Sequence, residues 1–274
     1  MTVVGYPGPE GSHSGAAAAV LAPDAAETVG LSSFVAVVDA AVAAEVDLGV
    51  LPIESSLVGA IAETHDLLYD APLSIVCEAT LPIRHCLVAP PGAELEAIRV
   101  VRSHPAAFDQ CRALLGRWEG VRAVASATTA DAAHEVSLLG DPSVAAIASA
   151  DAAAAYGLEI VADDVGDRDA FTRFVAVAPY TRVDGGEGWR TALSFVTDHQ
   201  PGALVRALGP FARHDLNLVQ LVSRPLSESH FRYRFDVVLD GHVFDDDVRD
   251  ALAEMRGLTR RLRLFGSYAA EQAR

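Results

Sequence analysis

Thr2-Val3-Val4-Gly5-Tyr6-Pro7-Gly8-Pro9-Glu10-Gly11-Ser12-His13-Ser14, followed by the alanine cluster at 16 to 19, reads as strand, glycine loop and helix. A β-type run that stops at Pro and Gly and gives way to small helix formers is the repeating unit of an α/β fold. The junction aims backbone N–H groups and the Ser12 and Ser14 hydroxyls at an anion above the helix start, and either serine also suits a helix N-cap. It has neither the GxxxxGK[ST] nor the GxGxxG spacing, so nucleotide binding is not indicated.

Working outward, the same beat recurs. Residues 34–46 read as a helix and 48–53 as a buried strand, followed by Glu54-Ser55-Ser56-Leu57-Val58-Gly59 at its C-terminal end. Open α/β sheets bind ligands at that edge, where Glu54 reads as an acid, a base or a turn residue. Residues 73–79 and 81–88 are strand-like and resemble a crossover between subdomains. Further strand ends carry Ser103-His104-Pro105, before a helix with Gln110 and Cys111, and Ser126-Ala127-Thr128-Thr129-Ala130-Asp131. Residues 144–148 form a small-residue strand leading into a helix over 149–156. Asp167-Arg168-Asp169-Ala170-Phe171-Thr172-Arg173-Phe174 then enters the apolar run 175–178. As a strand it puts Thr172 and Phe174 on one face and Phe171 and Arg173 on the other. A guanidinium beside a hydroxyl suits an anionic substrate with an oxygen leaving group, and equally an ordinary strand entry with a surface arginine.

The chain has 274 residues, 51% of them hydrophobic, which is enough for two domains with buried cores. All 21 basic residues are arginine, which excludes Schiff-base chemistry and a lysine general base on this chain. The formal charge of -16 argues against nucleic acid or an anionic membrane as partner, so an anionic substrate must be held by local groups. Cys77, Cys86 and Cys111 form neither a disulfide framework nor a zinc pattern, and reduced cytoplasmic thiols are expected. No signal-peptide pattern or membrane-length apolar run is read.

The pattern changes after the glycine-rich acidic stretch 183–189, which reads as a linker. Strands over 190–197, 217–222 and 231–239, a helix from Gly202, a helix over 245–256 and a last strand over 261–267 give the order βαββαβ. That order is ferredoxin-like, in about 80 residues, and it offers few clustered acids or bases, so a site there is expected to regulate.

Taken together, Gly8-Pro9-Glu10-Gly11-Ser12-His13-Ser14, Leu51-Pro52-Ile53-Glu54-Ser55-Ser56, Ile83-Arg84-His85-Cys86-Leu87, Ser103-His104-Pro105, Thr128-Thr129-Ala130-Asp131-Ala132-Ala133, Ala145-Ala146-Ile147-Ala148-Ser149 with Tyr156-Gly157-Leu158, and Thr172-Arg173-Phe174 resemble the prephenate dehydratase family over nearly the whole chain. The resemblance implies a two-lobed, periplasmic-binding-protein-like dehydratase domain over 1–182, with lobes of about 1–78 plus 171–182 and 79–170. An ACT regulatory domain over 190–274 would follow. It implies cofactor-free and metal-free conversion of prephenate to phenylpyruvate in phenylalanine biosynthesis. Thr172 would assist the departing hydroxyl and Arg173 would bind carboxylate, with Ser12, Glu54, Ser55, Ser103, Thr128, Thr129 and Phe174 around the substrate. Gly202-Ala203-Leu204-Val205 and Ser223-Arg224-Pro225 resemble the family's phenylalanine-binding segments, and a homo-oligomer, dimer or tetramer, is expected. At Ser55, Ala106, Ala170 and Val222 the family usually carries asparagine, glutamine, asparagine and glutamate. A diverged prephenate decarboxylase-like enzyme and a non-catalytic amino-acid-binding sensor remain alternatives, as does use of arogenate.

Overall fold

Short β-branched runs alternating with alanine-rich helices dictate the first half of the computed structural model, which describes residues 1–118, 120–181, 188–226 and 232–270. In chain order come β1 (Val3–Pro7), α1 (His13–Leu21), β2 (Glu27–Leu31), α2 (Phe34–Val42), β3 (Leu48–Ser55), the short β4 (Gly59–Ala60), α3 (Ala62–Asp70) and β5 (Ser74–Pro82). The chain then leaves for a second sheet: β6 (Cys86–Ala89), a 3-10 turn (Leu95–Ala97), β7 (Val100–Ser103), α4 (Pro105–Gln110), α5 (Arg112–Leu115), β8 (Arg122–Ala125), α6 (Thr129–Leu139), β9 (Val144–Ala148), α7 (Ala150–Ala155) and β10 (Glu159–Ala162). It returns as β11 (Phe171–Ala178) and finishes as β12 (Trp189–Val196), α8 (Ala203–Arg213), β13 (Leu218–Pro225), β14 (Tyr233–Asp240), α9 (Asp246–Arg256) and β15 (Arg261–Ala270).

The first sheet has the order β13-β14-β12-β15-β5-β11-β3-β1-β2 with β4 beside β3, and the second β10-β6-β9-β7-β8. β1 runs parallel to β2 and β3, while β11 lies antiparallel between β3 and β5. The C-terminal ends of β1, β2 and β3 and the N-terminal end of β11 therefore share one edge. β5 continues in the first sheet to Pro82, past the approximate lobe boundary expected at 78. Two connections, 83–85 and 163–170, join the sheets.

In β11, Phe174, Ala176 and Ala178 pack with α1 and β1, while Val175 and Val177 pack with α2 and α3 on the other face. This is the period-2 alternation read from the sequence. β9 is buried along its whole length, as expected of a central strand covered on both faces.

The last six elements form a four-stranded antiparallel sheet in the order β13-β14-β12-β15 with α8 and α9 packed on it, the ferredoxin-like arrangement. β13 runs on through Ser223-Arg224-Pro225, which the sequence reading placed just after the strand. This unit is not a separate body on the first sheet. β15 pairs with β5, and one apolar core holds Ala192, Val238, Phe265 and Tyr268 together with Leu51, Ile53, Leu68 and Ile75. Residues 183–187 of the expected linker and Phe231 of the expected third strand lie outside the described residues.

Candidate active site

A cleft of about 800 Å³ opens where the strand ends of the first sheet face the second lobe. Its walls come from the starts of helices. Ser12, His13 and Ser14 open α1, Ser32, Ser33 and Phe34 open α2, and Thr128, Thr129 and Asp131 open α6. Each helix begins with a hydroxyl cap: Ser12 Oγ accepts from Gly15 N at 3.2 Å, Ser33 Oγ from Ala36 N at 3.1 Å, and Thr128 Oγ1 from Asp131 N at 3.0 Å. A cap of this kind stabilises a helix by about 1 kcal/mol and leaves the other first-turn N–H groups pointing outward. Helix N-termini from both lobes thus converge on one space, where their N–H groups can meet an anion without a lysine, beside the carboxylate of Asp131.

The glycine loop is held from the other lobe. Ser149 Oγ donates to Gly11 O at 2.7 Å and the Tyr156 hydroxyl donates to Glu10 O at 3.1 Å. Gly11 has φ +76, and a Cβ there would stand 2.5 Å from Ala152 Cα, so a side chain is excluded both by backbone conformation and by the approach of α7. His13 lines the cleft with its Nε2 buried and without a partner. Burial, and then the neighbouring His85 ring, lower its pKa to about 4, so it is neutral near pH 7. The two rings meet edge to face at 5.9 Å, and His85 Nε2 lies 3.0 Å from Gln110 Oε1.

Of the residues expected at the site, Ser12, Thr128 and Thr129 line this cleft. Thr172 and Ser55 are paired across β11 and β3 at the same sheet edge, two residues along from the pair of Phe174 with the cleft residue Pro52, a strand length of about 7 Å. Ser55 Oγ accepts from Leu57 N at 3.3 Å and shapes the turn.

Three other expected residues do not line this cleft. Phe174 is 2% exposed and packs among Val4, Tyr6 and Ala17. Ser103 is fully buried, and its hydroxyl donates to Ile147 O at 2.7 Å. Arg173 does not present an unengaged guanidinium: its Nη1 donates to Glu54 Oε2 at 2.7 Å, and its Nε lies 3.4 Å from Glu78 Oε1 without hydrogen-bond alignment. Lying on the face opposite Thr172, it meets carboxylates that sequence distance conceals. Glu54 is accordingly an ion-pair partner at the end of β3.

Sequence reasoning passed over Ser33, Glu78 and Asp66. Ser33 carries a readable signal, an N-cap serine before the apolar run of α2. The other two are defined by contacts with residues far along the chain, Arg190 and Tyr268 for Glu78 and Arg224 and Arg234 for Asp66. In the C-terminal unit, Gly202 starts α8 in the left-handed region and Val205 is exposed. Arg224 grips Asp66 of α3 with two hydrogen bonds, of 2.5 and 3.2 Å, and Arg234 adds a third of 2.7 Å. Burial raises the Asp66 pKa, but the two guanidinium groups outweigh it and hold the carboxyl below its usual range. Among the described residues no three His, Cys, Asp or Glu side chains gather as a metal site, and no helix is long and apolar enough to cross a membrane.

A two-lobed α/β scaffold with a ligand cleft at its strand ends and a ferredoxin-like unit attached is the class these features define. The chain belongs to the prephenate dehydratase family, whose profile matches residues 4–181. An Arabidopsis thaliana protein named arogenate dehydratase/prephenate dehydratase 2, chloroplastic, is 36% identical over 98% of this chain and 73% of its own length. The prephenate dehydratase of Arthrobacter aurescens, solved in complex with L-Phe, is 33% identical with a TM-score of 0.88, over 98% of this chain and 90% of that one. A structure described as GqqA, a novel type of quorum quenching acylases, is 32% identical with a TM-score of 0.90 over 98% of both chains.

Proposed function

We propose that this chain converts prephenate to phenylpyruvate in phenylalanine biosynthesis. The observation that carries the reading is the convergence of three hydroxyl-capped helix N-termini on one cleft beside the Thr172 end of β11. Prephenate is a dianion, and helix N-termini hold carboxylates without a mobile cation. In the reaction the bond from ring carbon to carboxylate breaks, its electron pair enters the ring, and the ring hydroxyl leaves as water with a proton from the Thr172 hydroxyl. Solvent restores that proton. Aromatisation drives the step, so the protein needs chiefly to align the two leaving groups and supply one donor.

Arg173 contributes by its ion pair to Glu54, which ties β11 to β3 beside the reacting end. The remaining assignments complete the proposal: a cytoplasmic homo-oligomer, dimer or tetramer, whose C-terminal unit is an ACT domain binding phenylalanine at Gly202–Val205 and Ser223–Pro225. The domain limits are those of the sequence reading, apart from the extension of β5.

The test is to incubate the purified chain with prephenate and follow phenylpyruvate absorbance in alkali. Phenylpyruvate formation matching prephenate loss is expected. Loss of prephenate without phenylpyruvate would instead identify a decarboxylase, and intact prephenate, with hydrolysis of an N-acyl amide, an acylase.

A further inference from the structure

Glu78, on β5, is a carboxylate with only 2% exposure placed between the Thr172 end of β11 and the C-terminal unit. A charge so deeply buried persists only when paired, because desolvation costs several kcal/mol. Its partners come from three other strands. Arg190 of β12 donates from Nη1 to Oε1 in a short contact, and the Tyr268 hydroxyl of β15 donates to Oε2 at 3.2 Å. Arg173 of β11 approaches Oε1 with Nε at 3.4 Å. Burial first, and then the Glu78 charge, push Tyr268 well above the usual tyrosine range, so its hydroxyl remains a donor. Arg190 also has its Nε 3.6 Å from Asp240 Oδ1.

Both guanidinium groups converge on one oxygen of Glu78. Arg190 makes the hydrogen bond to it, while Arg173 stands beside it with Nε unaligned and donates from Nη1 to Glu54. Backbone pairing reinforces the connection, since Glu78 is opposite Val175 of β11 and Ala270 of β15. We infer that Glu78 is a positioning residue for the reaction: held by Arg190 and Tyr268 of the C-terminal unit, it keeps Arg173 against Glu54 and so fixes the end of β11 that carries Thr172. The inference rests on the reading that Thr172 acts on prephenate. It makes the C-terminal unit a working part of the site through three named side chains, none of which lines the cleft.

The test uses the full chain and the variants Tyr268→Phe, Arg190→Gln, Arg190→Lys, Glu78→Gln and the double variant Glu78→Gln/Arg190→Gln, with melting temperature monitored and Arg173→Lys serving for assignment. With prephenate, Arg190→Gln should lower kcat roughly 10-fold and Tyr268→Phe roughly 3-fold, each leaving KM within about 2-fold. Arg190→Lys should recover at least half of the loss, and Glu78→Gln combined with Arg190→Gln should be no slower than Glu78→Gln alone. The side-chain Nε–Hε resonance of Arg173, assigned by its absence in Arg173→Lys, should shift in both Tyr268→Phe and Arg190→Gln. That readout needs no turnover. Unchanged kcat with an unmoved Arg173 resonance overturns the inference, as does a kcat loss that merely follows melting temperature while the resonance stays in place. If the wild-type chain leaves prephenate intact, the proposed function falls, and the resonance alone decides whether Glu78 positions Arg173.

Discussion

Thr172 and Arg173 are neighbours in sequence and opposites in environment. Strand alternation turns Thr172 to the α1 side and Arg173 to a face where Glu54 and Glu78 are waiting. Among the described residues no cation bonds this hydroxyl, and its effect is ascribed to placement. Thr172→Ala should lower kcat by ~10²-fold while changing KM by only a few-fold, measured by phenylpyruvate formation. A kcat near that of the wild type would reject the proton-donor role. His13 gives a second residue-scale outcome. Because its folded pKa is lowered to about 4 from 6.5, the unfolded chain takes up a proton first as pH falls. Its contribution is complete above about pH 6.5 and is lost progressively towards pH 4, on the order of 3 kcal/mol. Urea unfolding across that window should show a shallower loss in His13→Asn than in the wild type, with the residual slope coming from His85, whose pKa burial also lowers.

At the scale of elements, the glycine loop after β1 matters because α7 of the other lobe presses on it. Gly11→Ala adds a Cβ into Ala152 and demands a left-handed backbone that alanine resists. It should cost about 2–4 kcal/mol in urea unfolding and raise KM for prephenate, since the N-terminus of α1 would move with the loop. The elements legible in sequence were those with a plain signal. β1, β3 and β11 announce themselves by β-branched runs, and the C-terminal hexad by clear alternation and loop spacing. β2 is not legible in the sequence, because Glu27–Leu31 is largely exposed and carries little apolar pattern. α3 is obscured for a related reason: it mixes Glu63, Thr64, His65 and Asp66 with two leucines, and two of these polar residues meet partners far along the chain. His65 lies 3.0 Å from Asp236, and Asp66 meets Arg224 and Arg234. The cleft hydroxyls Ser12, Thr128 and Thr129 could be found from motifs, whereas the burial of Phe174 and the engagement of Arg173 depend on which face of β11 meets which neighbour.

For the whole molecule, the continuous sheet matters most. β5 bridges the lobe strands and the C-terminal unit, and Arg263 of β15 donates to the backbone oxygens of Tyr69 and Ala71 at the C-terminal end of α3. With one apolar core crossing the junction, calorimetry of the full chain should show a single transition for the first sheet and the C-terminal unit, with no separate early melting of the latter. The central claim is that the cleft between the lobes holds prephenate for Thr172, and its most direct test is a crystal structure of Thr172→Ala with prephenate bound. The account predicts substrate carboxylates at the N-termini of α1 and α6 and the ring hydroxyl directed at position 172. Prephenate bound elsewhere, or with its ring hydroxyl turned away from β11, would contradict it.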